Sequence, residues 1–142
     1  MLEHLSIFIE NKPGKLNRIV EILAGEKINI RAFSIAGAGS FGVVKMLVDQ
    51  PEKAAQVLCA RGLAVARKQI VAAVVNDSPG SLHDLLGTLS RSGVNVADSY
   101  GFLLQSGKSA VVVLECDDLK KATEAILSNG FKMLPDNAHL SL

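Results

Sequence analysis

The chain has 142 residues, a formal net charge of +1, and 49% hydrophobic residues against 20% charged. That balance excludes an intrinsically disordered chain, and the lack of any block of like charge argues against nucleic acid as a partner. Cys59 and Cys116 stand far apart, which excludes a CxxC metal or redox pair. With no secretory leader pattern and no apolar run near the ~18 residues of a membrane span, a soluble cytoplasmic protein with no membrane partner is expected.

Leu5, Ile7 and Ile9 alternate with Ser6, Phe8 and Glu10, which is strand periodicity. Asn11-Lys12-Pro13-Gly14-Lys15-Leu16 breaks the strand, with Pro13 suited to the first position of a helix, where its missing N–H costs nothing. Leu16, Ile19, Val20 and Leu23 then fall on one helical face, and Gly25 loosens its end. A strand is predicted over 28–35, a glycine-rich reversal over 36–40 and a strongly apolar strand over 41–48, together a β-hairpin. Pro51 opens a second helix with Ala54, Ala55, Val57 and Leu58 on its narrow apolar face, Gly62 ends it, and 63–66 is a fourth strand. The order is βαββαβ.

The second half repeats this. A strand over 70–75 leads to Asp77-Ser78-Pro79-Gly80-Ser81-Leu82, the same corner displaced by 66 residues (79 − 13). Leu82, Leu85, Leu86 and Leu89 share a helical face, and Gly93 caps it. Val94-Asn95-Val96 matches Ile28-Asn29-Ile30 at the same displacement. A strand to about residue 104, a turn at 106–108 and a return through 110–114 follow. Asp117 or Asp118 caps the last helix, Gly130 ends it, 131–134 is the final strand, and the tail after Pro135 is expected to be loosely held. Only Arg67-Lys68-Gln69 separates the halves. The chain therefore reads as an α+β protein of two tandem ferredoxin-like βαββαβ units, 1–68 and 69–142, with antiparallel sheets and helices on one face. Val43 to Val48 and Val111 to Leu114 are apolar on both faces, so a second copy of the chain is expected to cover the bare sheet face, giving a homodimer.

No catalytic constellation is visible. His4, His83 and His139 have no sequence relation to a nucleophile, no metal-ligand spacing occurs, and the glycines at 37 and 39 precede a strand rather than the helix a dinucleotide loop requires. Aromatics amount to 4% and do not form a base-stacking signature. Neither corner carries the arginine or paired cysteines of other chemistries on this fold. No enzyme activity and no cofactor are expected. What each corner offers is a helix entrance whose first N–H groups lack intrahelical partners and attract a carboxylate. Gly14 and Gly80 permit close approach, and a side-chain oxygen of Asn11 or Asp77 faces an ammonium group. An α-amino acid presents both groups side by side. The same residues also have an ordinary structural reading: Pro-Gly as helix entry, Ser78 as an N-cap, Asn29 and Asn95 as strand-entry residues.

Glu10 to Leu16 followed by Lys27-Ile28-Asn29-Ile30, and Asp77 to Leu82 followed by Gly93-Val94-Asn95-Val96, resemble the signature of the ACT domain, over nearly the whole chain. The resemblance implies a regulatory module that binds small ligands, most often amino acids, near the first strand–helix loop and second strand, where paired domains meet. On that pattern Asn11, Lys12, Pro13, Gly14, Lys15, Leu16 and Asn29 form one ligand site, and Asp77, Ser78, Pro79, Gly80, Ser81, Leu82 and Asn95 the other. The serine-sensing version of the pattern has a histidine where this chain has Ile9 and Val75. Such domains regulate an enzyme, so a separate metabolic enzyme or regulator is an expected partner. The alternative is a ligand-independent interaction module using the apolar sheet face. Lys12 and Lys15 are expected to favour a carboxylate at the first corner, and Asp77 an ammonium group at the second.

Overall fold

The computed structural model describes residues 1–135; the predicted loose tail, including His139, lies outside the described residues. Twelve elements occur in the order β1 (Glu3–Glu10), α1 (Lys15–Gly25), β2 (Ile30–Ala38), β3 (Phe41–Val48), α2 (Pro51–Ala60), β4 (Ala64–Gln69), then β5 (Val71–Asn76), α3 (Ser81–Arg91), β6 (Val96–Gln105), β7 (Ser109–Cys116), α4 (Leu119–Ser128) and β8 (Lys132–Met133). The described residues form two compact units, 3–68 and 69–135 with 1–2. Each has a four-stranded sheet, ordered β2-β3-β1-β4 in one and β6-β7-β5-β8 in the other. The expected βαββαβ pattern is thus present twice.

In the first unit Leu5↔Met46 and Ile7↔Val44 pair antiparallel, placing Leu5, Ile7, Ile9, Val44 and Met46 on the face beneath the helices. Ile19 and Leu23 of α1 and Ala54 and Leu58 of α2 close that core. In the second unit Val71, Ala73, Val75, Val112 and Leu114 face Leu85 and Leu89 of α3 and Ala122, Ala125 and Ile126 of α4. The alternation in β1 and the 3.6-residue pattern of the helices account for the first set directly; β5 and β7 are apolar at consecutive positions, and their antiparallel register selects which residues face the helices.

Several boundaries differ from the sequence reading. β2 runs on to Ala38, because the Ala36-Gly37-Ala38 stretch keeps pairing with Phe41 to Val43, and only Gly39-Ser40 turns the chain. β4 extends to Gln69, so Arg67-Lys68-Gln69 is strand rather than linker and Ile70 alone separates it from β5. Of the two candidate caps, Asp118 accepts from the Lys121 N–H at 2.9 Å. Asp117 accepts from the Asn95 N–H at the same distance. On the sheet face turned away from the helices, Ala72, Val111 and Val113 are fully buried within the single chain. The apolar content of β7 therefore does not by itself require a second copy. Among the described residues no helix is long and apolar enough to cross a membrane.

Candidate functional site at the strand–helix corners

Both corners have the same backbone. Lys15 N donates to Lys12 O and Ser81 N to Ser78 O, each at 3.3 Å. Gly14 (φ 84°, ψ −11°) and Gly80 (φ 89°, ψ −15°) occupy the left-handed region. That is a type II turn with Pro at its second position and Gly at its third, where a side chain would be strained. Pro13 is consequently a turn residue and not the first residue of α1, which begins at Lys15. Ser78 does not cap α3 either: Gly80 holds the N-cap position, neither helix has a side-chain cap, and Ser78 Oγ lies 2.9 Å from Ser81 Oγ. The type II turn thus delivers the chain into each helix while leaving first-turn N–H groups uncovered.

Asn11 and Asp77 both brace the adjacent hairpin. Asn11 Nδ2 donates to Gly39 O at 3.2 Å and Asn11 N to Ser40 O at 2.8 Å. Asp77 Oδ2 accepts from the Gly107 N–H at 2.7 Å, and Asp77 N donates to Lys108 O at 3.1 Å. Each side chain keeps one oxygen, Oδ1, outside these bonds. Lys12 and Lys15 do not present bare charge: Glu10 takes Lys12 at 2.8 Å and Lys15 at 3.6 Å. The hydrogen bond from Lys12 and the two ammonium charges hold the Glu10 carboxyl below its usual pKa, and the same contact raises that of Lys12. The expected attraction of these lysines for a carboxylate is therefore largely spent on Glu10.

Asn29 and Asn95 sit elsewhere within their units. Asn29 N donates to Asp49 Oδ1 at 3.0 Å and its carbonyl accepts from Asp49 N at 3.1 Å. Asn95 and Asp117 repeat the arrangement at 2.9 and 3.2 Å. Asn11 lies beyond the Glu10↔Phe41 pair and Asn29 beyond Ile30↔Val48, at opposite ends of the eight-residue β3. At ~3.3 Å per residue they are about 25 Å apart. One amino acid cannot touch both within a unit.

The second corner opens on a hollow of about 300 Å³, bordered by Asp77, Ser78, Ser81 and Leu82 on one side and by Gly101 and Leu103 of β6 on the other. A Cβ at Gly101 would sit 3.1 Å from Val111 O, so the bare backbone there keeps that wall low. Of the four leucines that share one face of α3, Leu82 and Leu86 are 51% and 36% exposed, while Leu85, Thr88 and Leu89 fill the core face. A stripe of four leucines is wider than α3 buries, and the surplus turns outward. In the first unit Leu16 is instead packed against the core. β6 residues Gly101 and Leu103 escaped the sequence reading, since β7 separates this edge strand from β5 and only the folded chain brings it to the hollow beside the corner.

A family model described as an ACT domain pair matches residues 1–142. The chain belongs to the ACT domain pair family. Its structure is similar to that of protein BT0572 from Bacteroides thetaiotaomicron at 33% identity and a TM-score of 0.91, covering 99% of this chain and 96% of that one. It is also similar to the regulatory subunit of aspartate kinase from Thermus thermophilus in its ligand-free form, at 15% identity, TM-score 0.70, and coverage of 91% and 93%. The corresponding Thermus flavus subunit matches at 15% identity and a TM-score of 0.61, with coverage of 90% and 93%. At those identities the aspartate kinase subunits speak for the fold of the ACT pair alone. Comparison with curated proteins returned no match. Among the described residues of this ACT pair no three His, Cys, Asp or Glu side chains gather as a metal cluster would require.

Proposed function

We propose that this ACT pair, with 1–68 and 69–142 as its two ACT domains, is a stand-alone regulatory protein of the cytoplasm. It binds an amino acid at the strand–helix corners and transmits that state to a separate metabolic enzyme or regulator rather than catalysing a reaction itself. The observation that carries this reading is the hollow at the second corner. It combines uncapped helical N–H groups for a carboxylate, one Asp77 oxygen outside the hairpin bonds for an ammonium group, and an apolar wall from Leu82 and Leu103 for a side chain. The first corner is the weaker partner, because Asn11 has no charge and Lys12 and Lys15 are engaged by Glu10. Asn29 and Asn95 contribute to a ligand only where a second ACT unit supplies them, given their distance from the corner of their own unit. The working form is a homodimer, supported by the exposed Leu82 and Leu86 of α3 and the exposed Leu103 of the edge strand β6.

Isothermal titration against the twenty amino acids tests this reading. Binding of one or a few, weakened by substitution at Asp77 more than at Asn11, is the expected outcome. No heat and no thermal shift with any of them would overturn it. Light scattering that reports a monomer at micromolar concentration would remove the dimer from the proposal.

A further inference from the structure

A second hollow occurs in both units at equivalent positions, on the β4 or β8 side of the corner. In the first unit, about 470 Å³ is enclosed between the end of β1, the start of α1 and the entry to β4. In the second, about 400 Å³ lies between the end of β5, the start of α3 and the entry to β8. The linings correspond residue by residue, at a displacement of 66 before the hairpin and 68 after it: Phe8 with Val74, Lys15 with Ser81, Arg18 with Asp84, Phe41 with Ser109, Arg61 with Asn129. The backbone is shared, so the difference lies in side-chain chemistry.

That difference has one direction. The first hollow has three cations against one carboxylate, and Glu10 is already held by Lys12 and Lys15. The guanidinium groups of Arg18 and Arg61 have no carboxylate partner among the described residues. Two large aromatics border the same space, Phe8 at 53% exposure and Phe41 at 65%. Among the described residues that line the second hollow one lysine, Lys132, stands against Asp84, with no arginine, and Asn129 spends its amide on the Ala125 carbonyl at 2.8 Å. A structural need at this place in the fold would recur in both units. Unpaired arginines and exposed phenylalanines together occur only in the first.

We propose that the first-unit hollow binds a small organic anion, its oxyanion head gripped by Arg18 and Arg61 and its apolar or aromatic body laid against Phe8 and Phe41. Guanidinium forks match planar and tetrahedral oxyanions in bidentate geometry, and exposed phenylalanine faces accept an apolar body at small conformational cost. With Glu10 neutralised by its lysines, the hollow offers no free carboxylate to an ammonium group. Its ligand is therefore an acid lacking the α-amino group, which separates it from the corner sites of the proposed function. The site stands whether or not those corners bind.

The test is calorimetric titration of the intact chain with phenylacetate and with phenyl phosphate, which share a body and differ in head. At least one is expected to bind, and the tighter of the two identifies the head group. Benzyl alcohol, with the body and no charge, is expected not to bind. Arg18→Gln and Arg61→Gln should each weaken binding about tenfold, and the double variant should abolish it. Lys120→Gln, which removes the same charge from the exposed face of α4, should leave it unchanged. All these side chains are exposed, so circular dichroism should report an unaltered fold. No heat with either anion, binding that survives the double arginine variant, or an equal loss in Lys120→Gln would each overturn the proposal.

Discussion

Asp77 carries two roles that substitution can separate. Its Oδ2 accepts the Gly107 N–H at 2.7 Å and so ties the β6–β7 hairpin to the end of β5. Its Oδ1 is the proposed ammonium contact. Asp77→Ala removes both. The lost bond is charge-assisted but borders water, which re-solvates the freed N–H, so the loss is about 1 kcal/mol. For a chain of this length that lowers the Tm by about 3 °C. Asp77→Asn keeps an acceptor for Gly107 and loses only the charge, so stability should change by less than about 0.5 kcal/mol. Ligand binding behaves differently. An ammonium–carboxylate pair near a surface has a gross attraction of several kcal/mol at an effective dielectric near 20, of which solvation leaves roughly 1–2 kcal/mol. Both variants should then bind about tenfold more weakly. Thermal melts and titration calorimetry on the two proteins read the two quantities independently. If Asp77→Asn binds as tightly as the parent, the carboxylate is a hairpin brace only, and the proposed contact is wrong.

Leu89→Ala, in the core of the second unit with 1% exposure, should cost about 3 kcal/mol in denaturant unfolding. The outward Leu82→Ala should cost less than about 1 kcal/mol and act on binding instead. Burial, with Asp117 and Glu115 adding to it, pushes the Cys116 thiol up to about 11. Alkylation near neutral pH should therefore spare Cys116 and mark the exposed Cys59, with Cys116 gaining about tenfold per pH unit as the solution is made alkaline. Mass spectrometry after brief iodoacetamide treatment reads this directly, and equal labelling would contradict it. The Glu10 carboxyl is held below the ordinary value of 4.5 by Lys12 and then Lys15, so its ion pairs stabilise the fold above that value, and the effect fades as pH falls through the lowered pKa. NMR titration should find Glu10 below the usual range in the parent and shifted upward in Lys12→Met.

The sequence alone determined the architecture and its duplication. Alternating apolar residues in β1, the continuous apolar run of β5, 3.6-residue periodicity in α1 and α3, and the Pro-Gly corner repeated 66 residues on are local signals, and local backbone preference follows from them. They also sufficed to recognise the ACT pattern. Boundaries were less legible where two signals compete. The glycines of 36–40 read as a reversal, yet ladder bonds to β3 keep Gly37 and Ala38 extended, because pairing across strands outweighs a weak local preference. Pro13 read as a helix start because Pro is suited there, and only the dihedrals of Gly14 show the type II turn that precedes the helix.

What only the tertiary structure decided was which charges meet. Lys12 and Lys15 looked like the anion-binding residues of the first corner, but Glu10, at the end of β1 and only two positions before Lys12, takes both once the turn folds the chain back on itself. Arg18 could have been noticed one helical turn after Lys15. Arg61 could not, since it reaches the same hollow from the end of α2, more than forty positions away in the sequence. Nor does sequence spacing show that Asn11 and Asn29 lie at opposite ends of a sheet. Coulomb and hydrogen-bond energies depend on distances of a few ångströms, and those distances are set by strand order and register, which long-range pairing establishes.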